Sequence, residues 1–449
     1  MNDTIAAIST AFGEAAIAVL RLSGARAVEI ADAVFRSKMR ASELPARVVQ
    51  FGSIFDGDTR LDDVLLTVFR APASYTGEDV VEISCHGGVL VSRRILEVLL
   101  RAGARSAEPG EFTQRAFLNR KLDLTQAEAV MDVISAQTDL ALRAANEQLE
   151  GRLGARIREL RAAVLDTLAQ VEAYIDFPDE DISPETGAAL RGRIENAIAD
   201  VGALLATAGQ GKVLREGLRT VIFGAPNVGK SSLLNRLLGY ERAIVSHHPG
   251  TTRDVLEETI NVRGIPVRLM DTAGIRESAD ELEQAGMERT RQAMERADLV
   301  LHLAEVPRAP LEQFGGLALE SFVGAPRTLF VLNKCDLGEH AGWSGVDAVR
   351  ISCTSGEGMD ALTAAIETKA LGGAAKAGWS VAINARHQAC LETARDFLQA
   401  ALGAFDQALS PEFIAEELRA AMDAIGDIVG RADTEELLGV IFGQFCIGK

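Results

Sequence analysis

Gly224-Ala225-Pro226-Asn227-Val228-Gly229-Lys230-Ser231 fits the pattern G-x-x-x-x-G-K-[ST], and the run before it, Leu218-Arg219-Thr220-Val221-Ile222-Phe223, reads as a buried strand. A helical pattern follows from Lys230 to Leu238, so strand, loop and helix arrive in the order of a phosphate cradle. The glycines let backbone N–H groups turn inward on phosphate oxygens. The Lys230 ammonium reaches the terminal pair, and the Ser231 hydroxyl suits magnesium.

Further along, Val331-Leu332-Asn333-Lys334-Cys335-Asp336 is an apolar strand end followed by N-K-x-D. The Asp336 carboxylate only accepts, so it pairs with a base edge that offers two adjacent donors. Guanine has these at N1 and its 2-amino group, and adenine does not. Between the two motifs lies Leu269-Met270-Asp271-Thr272-Ala273-Gly274, a strand ending in D-x-x-G. Asp271 suits magnesium through water, and the Gly274 N–H suits a γ-phosphate whose loss releases the following segment. Ser352-Cys353-Thr354 follows a strand pattern from Ala348 to Ile351 and supports the base from the other side, with Cys353 a small filler. Four signals in this order exclude a chance match.

Two absences constrain the mechanism. Ile275 follows Gly274, so the water-orienting glutamine of the commonest small GTPases is missing. Glu277, Asp280, Glu281 and Glu283 follow closely, each either a water-orienting carboxylate or part of a solvated helix face. No arginine finger is evident. Asn227 and the stretch Ser246-His247-His248-Pro249-Gly250-Thr251-Thr252 could place oxygen ligands around a monovalent cation instead, with Thr252 a second magnesium ligand. The adjacent pair His247-His248 lacks a Cys or His cluster, which argues against zinc.

At 449 residues the chain has room for about three domains. Five scattered cysteines without C-x-x-C spacing fit a reduced compartment. Met1-Asn2-Asp3-Thr4 carries no basic leader pattern and no apolar run reaches membrane-span length, so a soluble cytoplasmic protein without a membrane role is expected. A net charge of −18 excludes a general polyanion-coating surface, so nucleic-acid contact requires a local patch or a basic partner.

Residues 1–118 mix short strands (Ala16–Leu22, Val64–Phe69, Asp79–Ile83) with helices (Ala25–Phe35, Gly88–Ala102), an α+β pattern. Long Ala/Leu/Arg/Glu stretches at helical spacing fill 119–215, from Thr125 on, broken only near Phe177-Pro178 and Ser183-Pro184. The same texture returns in 373–449. Between them 216–372 alternates strand and helix, a doubly wound, mostly parallel, Ras-like P-loop domain inserted into a helical one. Gly209-Gln210-Gly211 and Gly372-Gly373 form its joints. An insertion joined at both ends can pass torque to its host.

Several stretches carry a resemblance to one family. They are Asp3-Thr4-Ile5-Ala6-Ala7-Ile8, Leu20-Arg21-Leu22-Ser23-Gly24, Tyr75-Thr76-Gly77-Glu78-Asp79-Val80-Val81-Glu82, Cys85-His86-Gly87-Gly88, Pro109-Gly110-Glu111-Phe112-Thr113, Ala116-Phe117-Leu118-Asn119, Lys121-Leu122-Asp123-Leu124, Ile175-Asp176-Phe177-Pro178-Asp179-Glu180 and the terminal Phe445-Cys446-Ile447-Gly448-Lys449. With the four nucleotide motifs, the chain resembles the MnmE (TrmE) family of tRNA-modification GTPases nearly end to end. The resemblance implies a homodimer whose amino-terminal domain binds 5,10-methylenetetrahydrofolate or 5-formyltetrahydrofolate. It also implies a heterotetramer with an FAD-binding MnmG (GidA) family protein. Together they add an aminomethyl or carboxymethylaminomethyl group to carbon 5 of the wobble uridine of certain tRNAs.

Carried over by motif, the folate-facing residues are Arg21, Glu82, Lys121 and Lys449. Arg and Lys suit a folate carboxylate, and Glu suits the pterin donors. The resemblance assigns GTP to Asn227, Val228, Gly229, Lys230, Ser231, Ser232, Ser246, His247, His248, Pro249, Gly250, Thr251, Thr252, Asp271, Thr272, Ala273, Gly274, Asn333, Lys334, Asp336, Ser352, Cys353 and Thr354. Potassium falls to Asn227, Ser246, His248 and Thr251, magnesium to Ser231 and Thr252, and the water-orienting role to Glu283. Potassium-dependent pairing of the GTPase domains would drive a movement of the helical domain. Cys446 is implicated in the modification reaction as a nucleophile or proton relay. The chain departs from the family in having Ala15 and Ala16 at usual glycine positions and His247-His248-Pro249 in the cation loop. The pair Cys85-His86 invites a catalytic-dyad reading, but adjacent strand residues face opposite ways, which favours structural roles.

Two functional readings follow: a GTP-hydrolysing tRNA-modifying enzyme, or a GTP-timed binding module such as a ribosome-assembly factor. The first 118 residues favour the enzyme, because an assembly switch has no use for a folate site and would need a basic RNA-binding appendage.

Overall fold

A computed structural model describes residues 3–176, 184–239, 258–270, 294–313, 327–372, 382–430, 435–443, 445, 447 and 448. Two compact units emerge, Met1–Met131 with Gly426–Lys449, and Asp132–Ile425.

The first unit holds seven strands: β1 (Ile5–Ile8), β2 (Ile17–Ser23), β3 (Phe35–Arg36), β4 (Val49–Asp56), β5 (Thr59–Phe69), β6 (Val80–His86) and β7 (Arg105–Ser106). They pair in the order β3-β4-β5-β6-β2-β1-β7, antiparallel except for the β1–β7 edge. Period-two alternation decides the faces. Leu20, Leu22, Leu66 and Ile83 point into a core shared with the helices Ala27–Val34 and Val89–Arg101. The intervening Arg21 and Glu82 therefore face the other way. On that same face Phe51 and Leu65 pair directly across β4 and β5, and Phe51 is 63% exposed. The sequence reading placed β2 and β6 well but missed β1 and β4, whose apolar alternation is short and interrupted by small or polar residues.

The carboxyl-terminal segment packs into this unit. Leu438, Phe442 and Phe445 cluster with Phe117, Leu124 and Ala127, and Ile447 forms an antiparallel bridge with Pro109. Gly448 is required here. At φ +99°, a Cβ on it would lie 2.5 Å from the Ile8 carbonyl oxygen.

The second unit is helical around a sheet. Its helices include Asp139–Leu149, Arg152–Asp176, Pro184–Leu205, Ala208–Glu216, Ala385–Asp406 and Pro411–Val429. The expected unbroken helical stretch from Thr125 is corrected: helices also end at Ser135 and at Leu149. Thr138 caps the next one by accepting from the Ala141 N–H at 3.3 Å, and Gly151 turns the chain at φ +86°. Arg191 on Pro184–Leu205 pairs with Asp406 on Ala385–Asp406, Nε to Oδ1 3.0 Å.

The sheet of this unit comprises β8 (Leu218–Gly224), β9 (Glu258–Val262), β10 (Ile265–Leu269), β11 (Leu299–Glu305), β12 (Thr328–Asn333) and β13 (Val349–Arg350). The order is β13-β12-β11-β8-β10-β9, parallel except for the β9–β10 hairpin. Every residue of β11 is buried, as a central strand covered on both faces should be. The helices Lys230–Gly239 and Met359–Ala370 contribute Leu233, Leu234, Leu237, Leu362 and Ile366 to its core. β8, β11 and β12 run parallel and end at Gly224, Glu305 and Asn333, so their carboxyl ends open together where such sheets bind ligands.

His302 on β11 lies edge-on between Phe223 and Phe330, with centroids 5.1 and 5.3 Å away. Burial lowers its pKa to about 4. Its folded pKa lies below the unfolded one, so the unfolded chain binds the extra proton first and acid destabilises the fold. The expected result is a fall in stability as pH drops from about 6.5 toward 4, at roughly 1.4 kcal/mol per pH unit. Urea unfolding of wild type and His302→Phe across this range checks it: the variant should lose this component of the acid sensitivity.

Among the described residues, no helix is long and apolar enough to cross a membrane.

Candidate functional site

The phosphate loop begins where β8 stops. Gly224 has φ +155°, and a Cβ on it would sit 2.3 Å from the Leu303 carbonyl oxygen. Asn227 adopts a left-handed conformation at φ +64°, which leaves its side chain exposed at the loop tip. Lys230 opens the following helix and folds back so that Nζ donates to the carbonyls of Gly224 and Ala225 at 2.8 and 2.9 Å. Half-buried there, its ammonium has a pKa below the ordinary lysine value, because burial disfavours the charge. Ser231 and Ser232 are exposed on the first turn of that helix.

Asn333 ties the loop to the base-reading segment. Its buried Nδ2 donates to the Val228 carbonyl at 2.9 Å, and its Oδ1 accepts from the Cys353 N–H at 3.2 Å. Three segments distant in sequence are thereby held by one amide. Lys334 has φ +66°, and the turn it makes carries Asp336 into the exposed 3-10 turn Cys335–Leu337. Ser352 is fully buried, and its hydroxyl accepts from the Ser355 N–H at 3.1 Å. Burial pushes the Cys353 thiol up to about 11, so it stays neutral and contributes its backbone N–H. Thr354 follows in the same loop.

Gly229 has φ +102°, and an added Cβ would lie 2.2 Å from Asn333 Nδ2. Gly229→Ala is therefore expected to break the Asn333 tie and cost about 1–3 kcal/mol of stability. Thermal unfolding without nucleotide measures this directly.

In the first unit, Arg21 on β2 lies opposite Glu82 on β6, and its Nη2 and Nε donate to Glu82 Oε1 at 2.8 and 3.0 Å. The guanidinium lies over the rings of Tyr75 and Phe112, 5.4 and 5.7 Å from their centroids. The Tyr75 hydroxyl is within hydrogen-bond distance of Thr113 Oγ1, 2.8 Å, and burial raises its pKa. Lys121 Nζ donates to the Pro72 carbonyl at 3.1 Å, and its stem lies beside Gly77. Arg21, Glu82 and the two rings form one cluster; Lys121 is anchored separately, on the loop that includes Pro72.

Residues 124–446 match the family model of the MnmE helical domain, and residues 4–121 match that of the GTP-binding protein TrmE N-terminus. The chain belongs to the MnmE family. The tRNA modification GTPase MnmE of Akkermansia muciniphila is 52% identical over 455 residues, covering 99% of each chain. That of Geobacillus kaustophilus is 46% identical over 460 residues, covering 100% of this chain and 99% of its own. The G domain of the T. maritima FeoB iron transporter is 26% identical, covers 34% of this chain and 97% of that one, and aligns with a TM-score of 0.24. The α+β unit, the helices and the inserted P-loop domain are the architecture expected of an MnmE chain.

Several residues assigned from the MnmE resemblance lie outside the described residues: Ser246, His247, His248, Pro249, Gly250, Thr251, Thr252, Asp271, Thr272, Ala273, Gly274, Glu283, Cys446 and Lys449. Cys85 is buried in the first unit's core with its thiol pushed up to about 11, while His86 is exposed and its Nδ1 lies 2.7 Å from Asp62 Oδ1. The two side chains thus serve separate surroundings. Cys85 is expected to resist iodoacetamide at pH 8 in the folded protein and to react after unfolding, as peptide mass mapping would show.

Sequence reasoning missed Glu305. It is 4% exposed, yet its Oε1 accepts from Lys334 Nζ at 2.6 Å. A signal was available: one acidic residue closes the apolar run Leu299-Val300-Leu301-His302-Leu303-Ala304, in a strand that ends at the site.

Proposed function

We propose that this chain is the GTP-hydrolysing, folate-binding subunit of a complex that adds an aminomethyl or carboxymethylaminomethyl group to carbon 5 of the wobble uridine of certain tRNAs. The observation that carries the nucleotide half is the Asn333 tie, which holds the loop at Val228 and the backbone at Cys353 while Asp336 stands exposed to meet a base. Bound GTP would offer Lys230 anionic oxygens in place of two neutral carbonyls, and charge-assisted bonds are the stronger. Family membership supports the tRNA half.

Folate fits the residues of the first unit. Arg21 offers a cation for a carboxylate, Glu82 an acceptor for pterin N–H groups, and the rings of Tyr75 and Phe112 an apolar wall beside them. Lys121 and Lys449 complete the proposed set. A bound folate supplies a one-carbon unit; the chain's own residues orient it. The Ser231 hydroxyl suits magnesium together with Thr252. The Asn227 side chain suits potassium together with Ser246, His248 and Thr251. Glu283 would orient the attacking water, Lys230 would stabilise the transferred phosphoryl group, and Cys446 would serve the uridine chemistry.

One feature of the surface supports a partner. The exposed apolar pair Phe51 and Leu65, with Ile17 on the same sheet face, supports pairing with a second copy. A heterotetramer with an FAD-binding MnmG family protein, potassium-dependent pairing of the GTPase domains and a cytoplasmic location complete the reading. The working division is 1–118 for folate and dimerisation, 119–215 and 373–449 for the helical domain, and 216–372 for the GTPase.

Equilibrium dialysis of 5-formyltetrahydrofolate against the intact protein tests the folate half. Arg21→Ala should bind at least about tenfold more weakly, with an unchanged melting temperature as the control for folding. Wild-type protein that retains no folate would contradict the proposal.

A further inference from the structure

Glu305 is a carboxylate buried at the mouth of a site that must receive a triphosphate, where an unpaired negative charge would oppose binding. Its surroundings explain how it is tolerated. Oε1 accepts from Lys334 Nζ at 2.6 Å, and Oε2 lies 3.2 Å from Arg308 Nε. Its main chain is clamped on both sides by one amide: the Glu305 N–H donates to Gln313 Oε1 at 2.7 Å, and Gln313 Nε2 donates to the Glu305 carbonyl at 2.8 Å. β11 and β12 run in register with Glu305 opposite Asn333, and the Val306 N–H donates to the Asn333 carbonyl at 2.9 Å. The carboxylate is therefore placed by the sheet, independently of nucleotide.

Lys334 carries this placement to the loop, because the same Nζ also donates to the Asn227 carbonyl at 3.1 Å. An ammonium offers three donors on a flexible four-carbon stem and has no preferred direction of its own. Glu305 supplies the direction. With the carboxylate in place, the ammonium bridges β11 and the phosphate loop. Without it, one anchor of Lys334 is lost and the neutral Asn227 carbonyl alone holds the ammonium.

We propose that Glu305 is a positioning residue for guanine-nucleotide recognition, acting through Lys334. The proposal rests on the assignment of the Asn333-Lys334-Cys335-Asp336 segment to guanine. It makes the acidic end of β11 a fourth element of the base site, beside the loop, the N-K-x-D segment and Ser352-Cys353-Thr354.

The test is isothermal titration of GDP and GTP into the full-length chain as wild type, Glu305→Ala, Glu305→Gln, Glu305→Asp, Lys334→Ala and the Glu305→Ala/Lys334→Ala double variant. Glu305→Ala and Glu305→Gln should each raise Kd by about tenfold to a hundredfold, with KM for GTP rising more than kcat falls. Glu305→Asp should recover most of the affinity. In the Lys334→Ala background, removing Glu305 should cost less than about twofold, because the effect travels through the lysine. Unchanged affinity in Glu305→Gln, or losses that simply add in the double variant, would overturn the proposal. Glu305→Gln keeps the side-chain volume, so the outcome does not depend on the alanine variant folding. Asp336→Asn, run alongside, separates the two levels. If it loses GDP and Glu305→Gln does not, only the role of Glu305 fails; if neither loses GDP, the guanine assignment fails as well.

Discussion

Replacing Asp336 with asparagine is expected to turn this chain from guanine to xanthine nucleotides. The carboxylate presents two acceptors to the adjacent N1 and 2-amino donors of guanine. Asparagine presents one acceptor and one donor, which matches the N1–H and the 2-oxo group of xanthine instead. Each charge-assisted bond contributes about 1.5–3 kcal/mol; the amide loses the bond to the 2-amino group, sets N–H against N–H there and keeps only a neutral bond to N1–H, so GTP binding should weaken roughly a hundredfold to ten-thousandfold. Asp336 is exposed on a turn set by Lys334 at φ +66°, so the exchange leaves the backbone and the Asn333 tie untouched. Competition binding of GTP and XTP to wild type and variant measures the reversal. An Asp336→Asn protein that still prefers GTP would remove Asp336 from base recognition.

Lys230→Ala is expected to have the next largest effect, a fall in kcat/KM for GTP of about 10²–10³-fold. The Lys230 ammonium is held at the loop by the Gly224 and Ala225 carbonyls. Phosphate oxygens would take the place of these neutral carbonyls as its partners. Lys230→Arg should not restore activity, because a planar guanidinium cannot occupy the point position of an ammonium inside the loop. Burial also holds the Lys230 pKa below the ordinary value, so alkaline pH removes its charge earlier than from an exposed lysine. Affinity for GTP should accordingly decline on the alkaline side before that of a site built on an exposed lysine. Steady-state kinetics and a pH series of GDP binding read both effects.

The parts of the site legible in the sequence are those whose chemistry is local. The phosphate loop announces itself through Gly224, Gly229 and Lys230 at fixed spacing, and the left-handed, crowded backbone of the two glycines explains why no other residues serve there. Asn333 and Asp336 are legible for the same reason. Glu305 is marked in the sequence only as the acidic residue that closes an apolar run; its partner comes from the parallel register that sets it against Asn333. β4 and the bridge between Pro109 and Ile447 were hidden likewise by long-range pairing. The breaks at Thr138 and Gly151 were legible in principle, as an N-cap residue before an acidic first turn and a glycine after a helix end. The Ala/Leu texture on either side masked them. Arg21 by itself reads as surface charge, and it is the family resemblance that names it with Glu82; their pairing across β2 and β6, with the guanidinium over Tyr75 and Phe112, is a contact between distant segments that no local pattern encodes.

Nucleoside mass spectrometry of tRNA from cells lacking this protein, before and after restoring the intact chain or its Lys230→Ala form, tests the central claim most directly. Loss of the carbon-5 wobble-uridine modification, regained with the intact chain and not with Lys230→Ala, is the predicted result. Wobble uridines that remain fully modified without the protein would contradict a modifying enzyme and favour a GTP-timed binding module.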